Sequence, residues 1–133
     1  MCTILIHTVV VVVVVNLVRL EKRGGRVGKR LWFDIAIVGR ATGLALLAHL
    51  IEMAVWAILF VICGEFADFG TAYYHSAVNY TTLGYGDVLM SASWRLLGPL
   101  EAANGMLLFG VTTAMIFALM LRLVEARFAD LRD

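Results

Sequence analysis

Three long apolar runs and one short one order the chain. The first covers residues 1–18, interrupted only by Thr3, His7, Thr8 and Asn16, and residues 9–15 are seven consecutive valines. In water such a run favours a strand. In lipid an isolated strand leaves its backbone groups without partners, so a helix is the form that fits. Eighteen helical residues extend roughly 27 Å, close to the ~30 Å hydrocarbon core. No basic residue precedes the run and no small-residue cleavage site follows it, so it reads as a retained transmembrane helix, not a signal peptide.

The second run covers residues 35–63 and carries Arg40, His49 and Glu52. It is long enough to cross with tilt. The third covers residues 96–121, with Glu101 as its one charge. Between them, residues 69–80 (FGTAYYHSAVNY) are apolar and aromatic but too few to span. A stretch of that length is a re-entrant candidate. The glycine-containing sequence after it cannot face lipid, because its backbone would have no partners there. It must line a cavity or be buried in protein.

Composition agrees. Of the 133 residues, 62% are hydrophobic and 16% charged, with a mean hydropathy of +0.89. Soluble domains carry ~25% charged residues, so there is too little polar surface here for a water-soluble particle. A soluble enzyme, a disordered tail and a nucleic-acid-binding module are disfavoured, and no nucleic-acid partner is expected. The net charge is +1, but six of the eleven Lys and Arg (Arg19, Lys22, Arg23, Arg26, Lys29, Arg30) lie close together around Gly24-Gly25. By the positive-inside rule this loop, residues 19–33, is cytoplasmic. Arg122, Arg127 and Arg132 place the end of the last run on the same side. The N-terminus is then outside, Arg40 snorkels to the inner boundary, and the protein is expected to be a multi-pass protein of the cell membrane. Cys2 and Cys63 have neither disulfide-framework nor metal-ligand spacing.

The interrupted region holds Thr81-Thr82-Leu83-Gly84-Tyr85-Gly86-Asp87. This sequence, with a short aromatic helix before it and a long apolar one after it, resembles the selectivity filter of potassium channels, and the small bacterial ion-channel proteins are the nearest match. The resemblance covers a pore domain at residues 34–123: outer helix 35–63, pore helix 69–80, filter 81–87 and inner helix 96–121. It leaves the first helix outside the pattern and residues 124–133 as a short cytoplasmic tail. It implies an all-α membrane protein assembled as a homotetramer among lipids. Such a protein conducts K+ passively and needs no cofactor and no small-molecule substrate.

The chemistry of such a filter suits the composition. A potassium ion sheds its water only where oxygens replace the hydration shell, and carbonyls do so without a fixed negative charge. Aiming successive carbonyls at one axis needs unusual backbone angles, which Gly84 and Gly86 permit. By resemblance the K+ ligands are the carbonyls of Thr82, Leu83, Gly84 and Tyr85 and the Thr82 hydroxyl, with Gly86 completing the loop. Leu83 stands where the family commonly has valine. Filter support falls to Thr81, Asp87, Tyr74 and His75, with Tyr74 donating to Asp87 and His75 to Tyr85. Val78 stands where some relatives have a buried glutamate. The C-terminal end of the pore helix, aimed at the axis, favours a cation, and Asp68 or Thr71 caps its start.

Two other function classes have a claim. Intramembrane aspartyl proteases carry Gly-x-Gly-Asp, which residues 84–87 match. Their chemistry needs two facing aspartates that share a proton, and Asp34, Asp68, Asp87, Asp130 and Asp133 all lie at or beyond segment ends. The third class is a non-conducting assembly subunit.

Several residues keep two readings. Gly105 and Gly110 have the spacing of inner-helix glycines, as gating hinges or as close-packing positions. Phe109, Thr112, Thr113, Met115 and Ile116 include cavity-facing positions. Glu65 and Asp68 either concentrate cations at the outer mouth or are solvated loop carboxylates. His7 and Asn16 are placed near interfaces. No segment repeats Arg every third residue, so no voltage-sensor helix of the usual kind is expected. His49 with Glu52, and Glu101 with Asn104, each share a helix face. Counted from the outer ends, Glu52 lies ~18 Å deep and Asn104 ~15 Å deep. A polar contact between outer and inner helices is therefore expected, either as a proton sensor or as structural glue.

Overall fold

The computed structural model describes residues 1–24 and 31–130. Arg26, Lys29 and Arg30 of the expected basic loop, and Arg132 of the tail, lie outside the described residues. The described chain forms four helices and no strand: α1 (Cys2–Arg23), α2 (Leu31–Ile62), α3 (Phe69–Tyr80) and α4 (Leu97–Asp130). Of these, α1, α2 and α4 are long and apolar enough to cross a membrane.

The ends differ from expectation at two places. Helix α1 continues through Arg23, and α2 begins at Leu31, so both ends of the expected loop at residues 19–33 are helical. Helix α4 continues through Asp130, so most of the expected tail is helix. The segment LRLVEARFAD contains no Gly or Pro and is rich in Leu, Arg, Glu and Ala, which are strong helix formers. Polarity ends the apolar run there but not the helix.

The chain divides into two compact units, Met1–Ile4 with His49–Gly110, and Leu5–Ala48 with Val111–Asp133. In the second, Val14 of α1, Ile37 and Ala41 of α2, and Leu119 and Leu123 of α4 form an apolar core. Ile37, Ala41, Ala45 and Ala48 make one buried stripe along α2 at three- and four-residue spacing. Three of the four are alanines, which lets neighbouring helices approach closely. Arg40 pairs with Glu21 at 2.9 Å rather than simply reaching for the boundary. Arg127 pairs with Asp34 at 2.8 Å. His7 is buried, with Nε2 3.0 Å from the Thr112 hydroxyl. A partner hydroxyl on α4 admits the imidazole to the packed side of α1.

In the other unit the short helix α3 lies among its neighbours. Asp68 is its N-cap and accepts from the Thr71 backbone N–H at 3.1 Å, so Thr71 is the capped residue, not the cap. Ala72 packs with Ala57 and Phe60 of α2. Tyr80 packs with Met53 of α2 and Leu108 of α4. The buried residues Ala72, His75, Ser76, Val78 and Tyr80 follow from the near-helical repeat of small and aromatic side chains.

Candidate functional site

The loop that leaves α3 has an unusual backbone. Thr82, Gly84 and Gly86 have φ of 61°, 58° and 72°. Along a strand, successive carbonyls point to opposite sides; a left-handed residue at every second position breaks that alternation. Two of the three are glycines, for which this conformation is free of a Cβ penalty. Thr82 is the unexpected one, because a β-branched residue at positive φ is an outlier. Such a conformation costs on the order of 1–3 kcal/mol and persists only where the surroundings enforce it.

Those surroundings are the end of α3. The Thr82 N–H donates to the Asn79 carbonyl at 2.8 Å, and the Leu83 and Gly84 N–H groups donate to the Val78 carbonyl at 2.9 and 3.1 Å. These bonds satisfy carbonyls that a helix end otherwise leaves open. They also turn the loop's donors back towards α3. Among the described residues nothing donates to the carbonyls of Thr82, Leu83, Gly84 or Tyr85. All of residues 81–87 are exposed in the single chain, Leu83 at 55% and Tyr85 at 66%.

Polar contacts hold the loop from outside. The Tyr74 hydroxyl donates to Asp87 at 2.7 Å. That bond holds the Asp87 carboxyl below its ordinary range and pushes the Tyr74 phenol above its own. His75 does not reach Tyr85. Its Nδ1 lies 3.0 Å from the Val88 carbonyl, past the loop, because His75 faces the buried side of α3 beside Phe60 and Phe66. The Thr81 hydroxyl donates back to the Ala77 carbonyl at 2.7 Å. Glu65 accepts from the Ser91 N–H and hydroxyl at 2.6 and 2.7 Å, which lowers its carboxyl's proton affinity. Asp68 is likewise lowered by its bond to Thr71. Both carboxylates, read as mouth charges or solvated groups, are engaged in tying the turns before and after α3.

The model of a family described as ion channel matches residues 45–122, more than half of the chain and all of α3 and the loop after it. The chain belongs to the ion channel family. No curated protein and no solved structure matches it. Family membership points to a passive ion conductor of the membrane rather than an enzyme.

The buried polar residues of the channel are joined differently from the expected helix-to-helix contact. Glu101 bonds the Ser76 hydroxyl at 2.5 Å, and that hydroxyl also lies 2.8 Å from the Met53 carbonyl. Asn104 accepts from Thr3 of α1 at 3.2 Å. His49 lies 3.3 Å from Glu52 and 3.0 Å from the Tyr80 hydroxyl, which donates to Glu52. Ser76 of α3 bonds both Met53 of α2 and Glu101 of α4, Tyr80 bonds His49 and Glu52 of α2 and packs against Leu108 of α4, and the two long helices also meet where His49 stacks on Phe109. Depth along two helices says nothing of a third helix between them, so it does not point to Ser76, Tyr80 or Thr3. The signal that points to Ser76 and Tyr80 is polarity in a short apolar stretch. A polar contact between membrane helices averages only about 0.6 kcal/mol, so these bonds set position more than stability.

The two inner-helix glycines differ. A Cβ on Gly105 would lie 2.1 Å from the Tyr80 carbonyl oxygen, whereas one on Gly110 would meet nothing within 4 Å. Gly105 is a close-packing position. Phe109, from the set expected to include cavity-facing positions, stacks on His49 at 4.2 Å and meets Tyr80 edge-on at 5.6 Å. Thr112, from the same expected set, bonds His7. Thr113 is exposed, and Met115 and Ile116 are partly buried.

Proposed function

We propose that the channel is a potassium-selective homotetramer in which four copies of residues 81–87 surround one axis. The carbonyls of Thr82, Leu83, Gly84 and Tyr85 and the Thr82 hydroxyl coordinate K+, with Gly86 closing the loop and Asp87, Tyr74, Thr81 and His75 supporting it. One observation carries the reading. The loop is left-handed at Thr82, Gly84 and Gly86, the N–H groups of Thr82, Leu83 and Gly84 are spent on α3, and among the described residues nothing donates to the carbonyls of Thr82, Leu83, Gly84 or Tyr85. Carbonyl dipoles in number, without fixed charge, are what a filter needs to hold a potassium ion and release it. One chain has one such loop, and the exposure of Leu83 and Tyr85 leaves apolar surface for other copies to cover. The ion is cargo, not a cofactor. Gly110, with open space around it in the single chain, is the candidate bend for gating.

Purified protein in liposomes tests this directly. Reversal potentials in mixed salts follow K+, and cross-linking in membranes yields a tetramer. Equal K+ and Na+ permeability would refute the selectivity, and a dimer as the largest cross-linked species would refute the assembly. Peptide cleavage without ion flux would restore the protease reading.

The orientation proposed has the N-terminus outside, and the basic loop and C-terminus in the cytoplasm. Glu125 is exposed near the end of α4. In a chain with Cys2 and Cys63 replaced by serine, Glu125→Cys should react with a membrane-impermeant thiol reagent only after cells are permeabilised. Reaction in intact cells would reverse the orientation.

A further inference from the structure

We infer that Tyr80 is a positioning residue for the filter, its side chain held by His49 and Glu52 of α2 and its main chain seated against Gly105 of α4. The inference rests on the potassium reading above. Tyr80 is the last residue of α3, and the loop begins directly after it. It is wholly buried. A buried phenol takes a hydrogen-bond partner, and this one has two. A phenol has one proton, which goes to Glu52. Its oxygen then accepts from His49 Nδ1 at 3.0 Å. The ring is also fixed edge-on against Phe109, on which His49 stacks.

The main chain is held as firmly. The Tyr80 carbonyl oxygen lies 2.1 Å from where a Cβ of residue 105 would be, so α4 touches backbone and not a yielding side chain. Residue 80 is therefore gripped from two helices, two positions before Thr82. That is the residue forced to φ 61°, and a strained conformation holds only where its flanks are held. A phenylalanine at position 80 would fill the same space. The hydroxyl adds direction, not volume. Discrimination between ions depends on the size of the cage and the number of carbonyls around it, so a loop whose starting point drifts loses selectivity first.

The test measures the K+/Na+ permeability ratio of the full chain in liposomes for the parent, Tyr80→Phe, Glu52→Gln and Glu52→Ala. Assembled yield is followed alongside, because a role confined to stability lowers yield and leaves the ratio unchanged. The expected result is a ratio at least about tenfold lower in Tyr80→Phe and Glu52→Ala. Glu52→Gln keeps an oxygen that accepts from the phenol and should stay within about threefold of the parent. Parental selectivity in Tyr80→Phe would overturn the inference. If Tyr80→Phe does not assemble, the two Glu52 variants decide, and equal ratios in them would overturn it. A parent that fails to discriminate K+ from Na+ overturns the potassium reading itself, a result visible before any variant is made.

Discussion

Gly105→Ala should all but abolish conducting protein, while Gly110→Ala should assemble normally. The added methyl at 105 would sit 2.1 Å from the Tyr80 carbonyl oxygen, 3.0 Å from its carbon and 3.2 Å from its ring. Two of these atoms are backbone of the buried Tyr80 at the end of α3, so neither a rotamer change nor a small shift relieves the clash. Helices α3 and α4 must separate. Overpacking of this kind costs about 1–3 kcal/mol where side chains can adjust, and here the obstacle is main chain, repeated in every subunit of the proposed tetramer. The separation also falls next to the loop proposed as the filter. At Gly110 the methyl meets open space, and alanine in a helix interior is favoured over glycine by about 1 kcal/mol. Flux per reconstituted protein should fall at least about tenfold in Gly105→Ala, with a lower unfolding temperature. Gly110→Ala should keep parental yield and stability, with any change confined to open probability. Equal tolerance at both sites would mean that α3 and α4 do not meet at Gly105.

Nothing in the residue type separates these two glycines, and the contrast shows where sequence reasoning stops. Apolar length was enough to find α1, α2 and α4, because lipid demands continuous apolar helices and little else. Residues 69–80 were legible as a short helix for the complementary reason: they were apolar but could not span. The cap was narrowed to Asp68 or Thr71, and only backbone angles choose between them. The polar residues His49, Glu52, Glu101 and Asn104 stood out by their cost in hydrocarbon. Their partners did not. Ser76 and Tyr80 look unremarkable in an aromatic stretch, and Thr3 belongs to a helix outside the resemblance. Periodicity gives the face of one helix, not the neighbour it meets. Position in the pattern pairs His75 with Tyr85, whereas its place on the buried side of α3 sends it to Val88. The left-handed Thr82 was equally hidden, since a β-branched residue is the last that propensity would place there.

At the other end of the loop, Gly86→Asp should remove most of the discrimination between K+ and Na+ while leaving cation flux intact. Gly86 has φ 72°, and aspartate is among the few other residues that visit this region readily. The backbone can therefore keep its course, unlike at Gly84, where a β-branched substitution would compound the strain already present at Thr82. What changes is charge. Residue 86 is exposed in the chain and adjoins Asp87, whose carboxylate is already engaged by Tyr74 at 2.7 Å. A second carboxylate, contributed by each subunit, would place a ring of fixed negative charge at the mouth. Carboxylate rings attract cations as a class, whereas selectivity among them comes from counted carbonyls in a defined cage. The permeability ratio should drop at least about tenfold, and the remaining flux should become more sensitive to ionic strength as exposed charge is screened. Gly86→Ala separates the two causes: it strains the backbone without adding charge, so loss of flux rather than loss of selectivity is expected. A Gly86→Asp channel that keeps the parental ratio would place the selective cage away from residues 82–86.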